Sequence, residues 1–235
     1  MKTQRIGSIF GDSFKTSYIT ADTLKKGSTV LIPDALDGWN TFPFLSKGMK
    51  VTAYESDSLF IYGSTVTQKD KEILIYGLNK RLEAYGYSEN IEVINENFYT
   101  SDSNKKYDFI YVHKSLHRDC NKNLTIKEKF KKLQHSVKTN RSIYIYYHLP
   151  LDDNKDYPNN LYPTKYEIVS YFKNSNWEII NAQEKDCRRY DKGHIGNEEP
   201  HYHKVWYIHA KKARKKISKN KNHIYRNNIS IGSYF

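Results

Sequence analysis

Apolar residues fall into short blocks of two kinds, and their alternation along the chain is the first structural signal. Some blocks are brief and nearly continuous. STVLIP (28–33) is bounded by turn residues, as a strand buried on both faces requires. KVTAYE (50–55) ends in an acid, IEVINENF (91–98) and YDFIYVH (107–113) read as strands, and SIYIYYHL (142–149) is β-branched and aromatic. Other blocks repeat at three and four residues, as helices do. They predict helices over 12–26, closed by Gly27, over 39–47, closed by Gly48, and over 67–85, closed by Gly86. In the last of these Ile73, Leu74, Leu78 and Leu82 form the apolar stripe. A helix over 124–137 carries a basic outer face. Another over 165–173 opens at Thr164 and Glu167, which have capping-box spacing, and turns Ile168, Val169 and Phe172 inward. WEIINAQE (177–184) and YHKVWYIHA (202–210) are closing strands, joined by a polar loop that contains Gly193 and Gly196.

Strands alternating with helices predict an α/β fold, doubly wound around a mostly parallel sheet with right-handed crossovers. The last two strands have no helix between them, so they pair antiparallel. At 235 residues the chain suits one such domain, large enough to bury a core without disulfides or metal. Three parts follow: an N-terminal helical extension (1–27), the Rossmann-like domain (28–210) and a basic tail (211–235).

Charge sharpens the last boundary. The net charge is +12, yet eight Lys or Arg and no Asp or Glu lie between Lys211 and Phe235. Removing those eight leaves 30 basic and 26 acidic residues, a net of +4 over 1–210. A tail of this kind attracts polyanions by counterion release, with little sequence selectivity. Cys120 and Cys187 are distant in sequence and form no disulfide framework, which fits a reducing compartment. No secretory signal is visible in Met1–Phe10, and no apolar run approaches the roughly 20 residues of a membrane-spanning helix. The expectation is a cytoplasmic protein.

The stretch VLIPDALDGWNTFPFLSKGMKVTAYE (30–55) resembles the first two strands and intervening glycine loop of the class I S-adenosylmethionine-dependent methyltransferases. The likeness is carried by Val30, Leu31, Gly38, Asn40, Leu45, Gly48, Val51, Thr52 and Ala53, with Glu55 at the acidic position. Gly38-Trp39-Asn40-Thr41 is similar to the loop of small-molecule methyltransferases of the tellurite-resistance kind. YDFIYVHKSLH (107–117) resembles the family's fourth strand, and HYHKVWYIHAKK (201–212) its last. The resemblance implies a seven-stranded, three-layer sheet of order 3-2-1-4-5-7-6 with strand 7 antiparallel, and S-adenosylmethionine as cofactor. It implies that Asp34, Ala35, Leu36, Gly38 and Asn40 hold the methionine part, Glu55 the ribose, and Asn97 and Phe98 the adenine. A loop between a buried strand and a helix presents backbone N–H groups to a ligand, and a carboxylate ending the second strand can accept from two ribose hydroxyls. The chain departs from the family at the glycines: Asp34 and Leu36 stand where two are usual, and Ile32 and Pro33 replace an acid and its apolar neighbour. Side chains at 34 and 36 restrict positive φ and narrow the approach to the methionine part.

His113, His117 and His148 belong to the ends of the fourth and fifth strands, where this architecture opens its substrate site. His113, Lys114 and His148 are the candidate catalytic residues. An imidazole can act as a base near neutrality, although transfer from a sulfonium often needs only alignment. Cys187, His194, His201 and His203 match no zinc spacing, and no metal is expected. Tyr144, Tyr146 and Tyr147 read as core and pocket wall. The expected activity is methyl transfer to an O, N or S nucleophile, with a small-molecule acceptor ahead of RNA gripped by residues 211–235. A third reading is a diverged fold that cleaves the cofactor or binds without catalysis.

Overall fold

A computed structural model describes residues 12–68, 71–116, 123–149, 163–173, 176–191 and 201–214, with backbone alone at 12–16, 68, 71, 73, 149, 184–191 and 201–203. Helix α1 (Asp12–Asp22) precedes β1 (Thr29–Ile32). A 3-10 turn (Trp39–Thr41) and α2 (Phe42–Ser46) lead to β2 (Lys50–Tyr54) and α3 (Ser58–Tyr62). A hairpin of β3 (Ser64–Gln68) and β4 (Lys71–Ile75) comes next, then α4 (Leu78–Ala84), β5 (Ile91–Ile94) and β6 (Tyr107–His113). The described elements continue with α5 (Ile126–His135), β7 (Val137–Leu149), α6 (Lys165–Lys173), β8 (Trp177–Asp191) and β9 (His201–Lys212).

Seven strands form one sheet in the order β5-β2-β1-β6-β7-β9-β8. All run parallel except β9, which is antiparallel to both β7 and β8. Numbered without the hairpin, this is the expected 3-2-1-4-5-7-6. Direction along the sheet reverses between β1 and β6, and the crevice outside their carboxyl ends is where such folds bind ligands.

The period of two along the central strands builds the layers. Ile110 and Val112 of β6, with Ile143, Ile145 and Tyr147 of β7, face α5 and α6 through Phe130, Leu133, Ile168 and Phe172. Phe109, Tyr111, Tyr144 and Tyr146 face the other way, onto Ala21 of α1, Phe44 and Leu45 of α2, and Leu78 and Leu82 of α4. Each fully buried large side chain contributes about 1.5–3 kcal/mol. Helix α5 begins with a complete capping box, Thr125 and Glu128. In α6, Glu167 N–H donates to Thr164 Oγ1 at 3.2 Å, one arm of the expected box. No helix among the described residues is long and apolar enough to cross a membrane.

One predicted element is corrected. Residues 67–85 do not form a single helix: Lys71–Ile75 pairs antiparallel with Ser64–Gln68, and only Leu78–Ala84 is helical. Gly77 is the cause. Its φ of +81° lies outside the helical range, and an added Cβ would sit 2.4 Å from Gly63 N. Gly63, with φ +80°, closes against it in the same way, so two glycines pinch the stem of the hairpin. The β-branched residues on either side then pair as strands.

Candidate ligand crevice

At the carboxyl end of β1 the backbone takes a left-handed path through two non-glycine residues and one glycine. Asp34, Leu36 and Gly38 have φ of +52°, +53° and +88°. A left-handed non-glycine residue costs about 1–2 kcal/mol, so neighbours must hold the loop. Ala35 N–H donates to Tyr54 O at 2.8 Å, and Leu36 N–H donates to Glu55 Oε2 at 2.7 Å. At Gly38 an added Cβ would meet Leu78 Cδ1 at 2.1 Å, so α4 packs directly on the loop. Asp34 and Ala35 are buried and Leu36 is half-buried.

Glu55 follows β2 and turns its carboxylate toward the β1 loop. Its other oxygen, Oε1, accepts from Asp57 N–H at 3.0 Å, and its carbonyl accepts from Asn95 Nδ2. The residue is fully enclosed. Each carboxylate oxygen accepts a backbone donor, which fixes the plane of the carboxylate. Asn97 and Phe98 lie past the end of β5, in a turn. Asn97 Oδ1 accepts from Tyr99 N–H at 2.9 Å, and Phe98 packs inside the core edge-on to Tyr54 at 5.3 Å between centroids.

On the far side of the crevice, Asn40 reaches from the loop to β6: its Nδ2 lies 3.0 Å from His113 Nδ1. An amide NH2 only donates, so this contact makes Nδ1 the acceptor and leaves the neutral ring's proton on Nε2. Stacking on Tyr146 at 5.3 Å and near-parallel alignment with Tyr111 at 6.3 Å fix the ring plane. Lys114 has φ +55° and donates its N–H to Tyr146 O at 2.8 Å. His148 is buried on the same face of β7 as Tyr146, two residues further along. Beyond Lys114, Ser115 Oγ pairs with the Tyr99 hydroxyl at 2.5 Å, and the wholly buried Lys129 of α5 donates to Leu116 O. These contacts anchor the start of the loop after β6. His117 and His194 lie outside the described residues, as do the side chains of Cys187, His201 and His203.

The structure adds a pair that the sequence reading did not select. Asp37, buried in the same loop, accepts from Arg81 of α4 at 3.0 Å. The Arg81 guanidinium sits over the Trp39 ring at 4.4 Å and faces Tyr76 at 5.5 Å. Burial pushes the Asp37 carboxyl up to about 6, against the pull of Arg81. A second acid three positions after Asp34 was the available signal, but its partner lies 44 residues away.

The strand order, the reversal at β1/β6, the left-handed loop and the acid after β2 together define the class I methyltransferase fold. Similar solved structures agree. TehB from Haemophilus influenzae superposes with a TM-score of 0.62 at 16% identity, over 84% of this chain and 62% of that one. The chain thus spans less than two thirds of TehB. The 1,6-didemethyltoxoflavin-N1-methyltransferase of Burkholderia thailandensis, solved with bound 1,6-didemethyltoxoflavin and S-adenosylhomocysteine, gives 0.54 at 14% identity, over 86% of this chain and 79% of its own. The [4+2]-cyclase SpnF gives 0.60 at 9% identity, over 85% and 80%. No family model matches the chain, and no curated protein matches it by sequence. Among the described residues no cluster of three or more metal-ligating side chains occurs.

Proposed function

We propose that the chain is an S-adenosylmethionine-dependent methyltransferase acting on a small molecule. One observation carries this reading. Glu55 and the left-handed loop are joined across the β1–β2 crevice, at the topological switch point, by the Leu36 N–H to Glu55 Oε2 bond. The donor set fits the nucleoside end of the cofactor. Glu55, just past β2, carries a carboxylate of the kind that accepts from ribose hydroxyls, and the Asn97–Phe98 turn offers backbone groups to an adenine. Asp34 supplies a carboxylate for the amino group of the methionine part, beside which Leu36 narrows the space. Bound there, S-adenosylmethionine supplies an electrophilic methyl group on a cationic sulfonium.

The remaining residues orient the acceptor. His113, with Nδ1 engaged by Asn40, offers an Nε2–H to an acceptor lone pair. It acts as a hydrogen-bond donor that aligns the nucleophile, which is the main requirement of in-line transfer. Lys114 and His148 complete the wall above β6 and β7.

A second reading, a binding fold without turnover, is favoured by the complete enclosure of Glu55. Calorimetry with S-adenosylhomocysteine separates the two readings from an empty fold. Native protein should give heat of binding, and Glu55→Ala should bind at least about tenfold more weakly, about 1.4 kcal/mol. Absence of heat in the native protein overturns both. Binding of S-adenosylmethionine with no adenosylhomocysteine formed across a panel of O, N and S acceptors favours the second reading.

A further inference from the structure

Two lysines of α5, Lys129 and Lys132, stand one turn apart on the helix and hold the loops that follow β5 and β6. Lys129 takes the loop after β6, at the Leu116 carbonyl. Lys132 takes the segment after β5: its Nζ donates to Ser101 O at 2.5 Å and to Ser103 O at 2.9 Å, and stands 5.6 Å from the centroid of the Phe98 ring. An ammonium has three donors and no acceptor, and here two of them converge on one stretch of backbone. No carboxylate lies within ion-pair distance of Lys132 among the described residues, and Asp102 acts on it from further away. Its partners are neutral, directional acceptors, so the lysine fixes a backbone path rather than neutralising an acid.

That path belongs to the turn headed by Asn97. Ser101 is bonded on both sides. Its N–H donates to Asn97 O at 3.0 Å and its hydroxyl to Phe98 O at 2.9 Å, while its own carbonyl is held by Lys132. The Phe98 ring is buried edge-on to Tyr54 at 5.3 Å and to Tyr99 at 5.4 Å, so it anchors the turn in the core. The Tyr99 hydroxyl then joins this turn to Ser115 of the loop after β6. Helix α5 itself is held in the core by Ile126, Phe130 and Leu133, which are buried without help from Lys132. What Lys132 adds is the course of residues 97–103.

We propose that Lys132 is a positioning residue for base recognition: by fixing the carbonyls of Ser101 and Ser103 it sets the Asn97–Phe98 turn, and with it the ability of the crevice to tell adenine from a purine of opposite hydrogen-bonding pattern. The inference rests on the binding of S-adenosylmethionine proposed above, whose adenine this turn meets.

The probe is S-inosylhomocysteine, in which hypoxanthine replaces adenine and exchanges donor and acceptor at ring positions 1 and 6. Calorimetry on the full-length protein compares it with S-adenosylhomocysteine in native protein, Lys132→Met and Lys132→Arg. A site that hydrogen-bonds a ligand rejects a mismatched analogue strongly, so native protein should prefer the adenine ligand by at least about tenfold. Lys132→Met should reduce that preference to about threefold or less, chiefly by weakening the adenine ligand. Lys132→Arg keeps a cation with several donors and should restore the preference to within about twofold of native. Urea midpoints of both variants should stay near native, because the apolar contacts of α5 are untouched. Equal weakening of both ligands by Lys132→Met, a native-like preference in that variant, loss in both variants in step with a lowered urea midpoint, or no preference in the native protein overturns the inference. Absence of S-adenosylhomocysteine heat in the native protein overturns the cofactor reading itself and the inference with it, so the two failures are distinguishable.

Discussion

Asp37 is the residue whose environment makes the sharpest demand on the crevice loop. Its carboxyl is buried, and its proton affinity is raised from 3.8 to about 6 even with Arg81 beside it. The folded state thus holds the proton more tightly than the unfolded chain does. The stability associated with Asp37 is fully present below about pH 4 and is lost as pH rises through about 6. Asp37→Asn cannot titrate in either state, so the difference between native protein and variant isolates this effect. Native stability relative to the variant should fall by about 2.4 kcal/mol between pH 4 and pH 7, read from urea midpoints at each pH. A flat difference would show that Arg81 neutralises the buried charge completely. The ion pair also explains how Asp34 and Leu36 hold their left-handed conformations: Leu78 covers the loop at Gly38, Arg81 grips it at Asp37, and Tyr54 and Glu55 hold it from β2.

At the scale of elements, the strands were legible because burial on both faces writes itself as uninterrupted Val, Ile and Tyr. The resemblance then supplied their order. The places of Glu55 just after β2 and of Asn40 in the loop after β1 were legible for the same reason. Two things were not. Ile73, Leu74, Leu78 and Leu82 satisfy a helical stripe by spacing, yet the first two belong to a hairpin strand, because backbone conformation at Gly77 outweighs periodicity. With Arg81 read on the wrong long helix, its partner in the loop could not be inferred. Gly77→Ala tests the stem. A Cβ there meets Gly63 N at 2.4 Å and Tyr62 C at 2.6 Å, backbone atoms that cannot rotate away, on a φ that alanine disfavours. Gly86 has φ +70° with open space around it. Gly77→Ala should cost about 3 kcal/mol or more and Gly86→Ala about 1 kcal/mol, measured by urea unfolding. Equal costs would mean that the stem can relax.

The whole molecule sets the crevice, outside the carboxyl ends of β1 and β6, at one end of the sheet and the starts of those strands, its amino pole, at the other; Lys106, just before β6, and Lys211, paired with Ser142, stand at that pole. Six residues separate the Ser142–Lys211 pair from the His148–Val205 pair along β7, about 20 Å at 3.3 Å per residue. Charges at the amino pole are therefore more than two Debye lengths from the crevice at physiological salt, where that length is about 8 Å. Between them lies a packed core of Ile143, Ile145, Tyr144 and Ile208. Changing Lys106 and Lys211 together to Gln should therefore leave the Kd for S-adenosylhomocysteine unchanged within about twofold, measured by calorimetry at 150 mM salt. A change of fivefold or more, about 1 kcal/mol, would mean that charge at the amino pole is felt at the crevice through that packed sheet rather than through solvent.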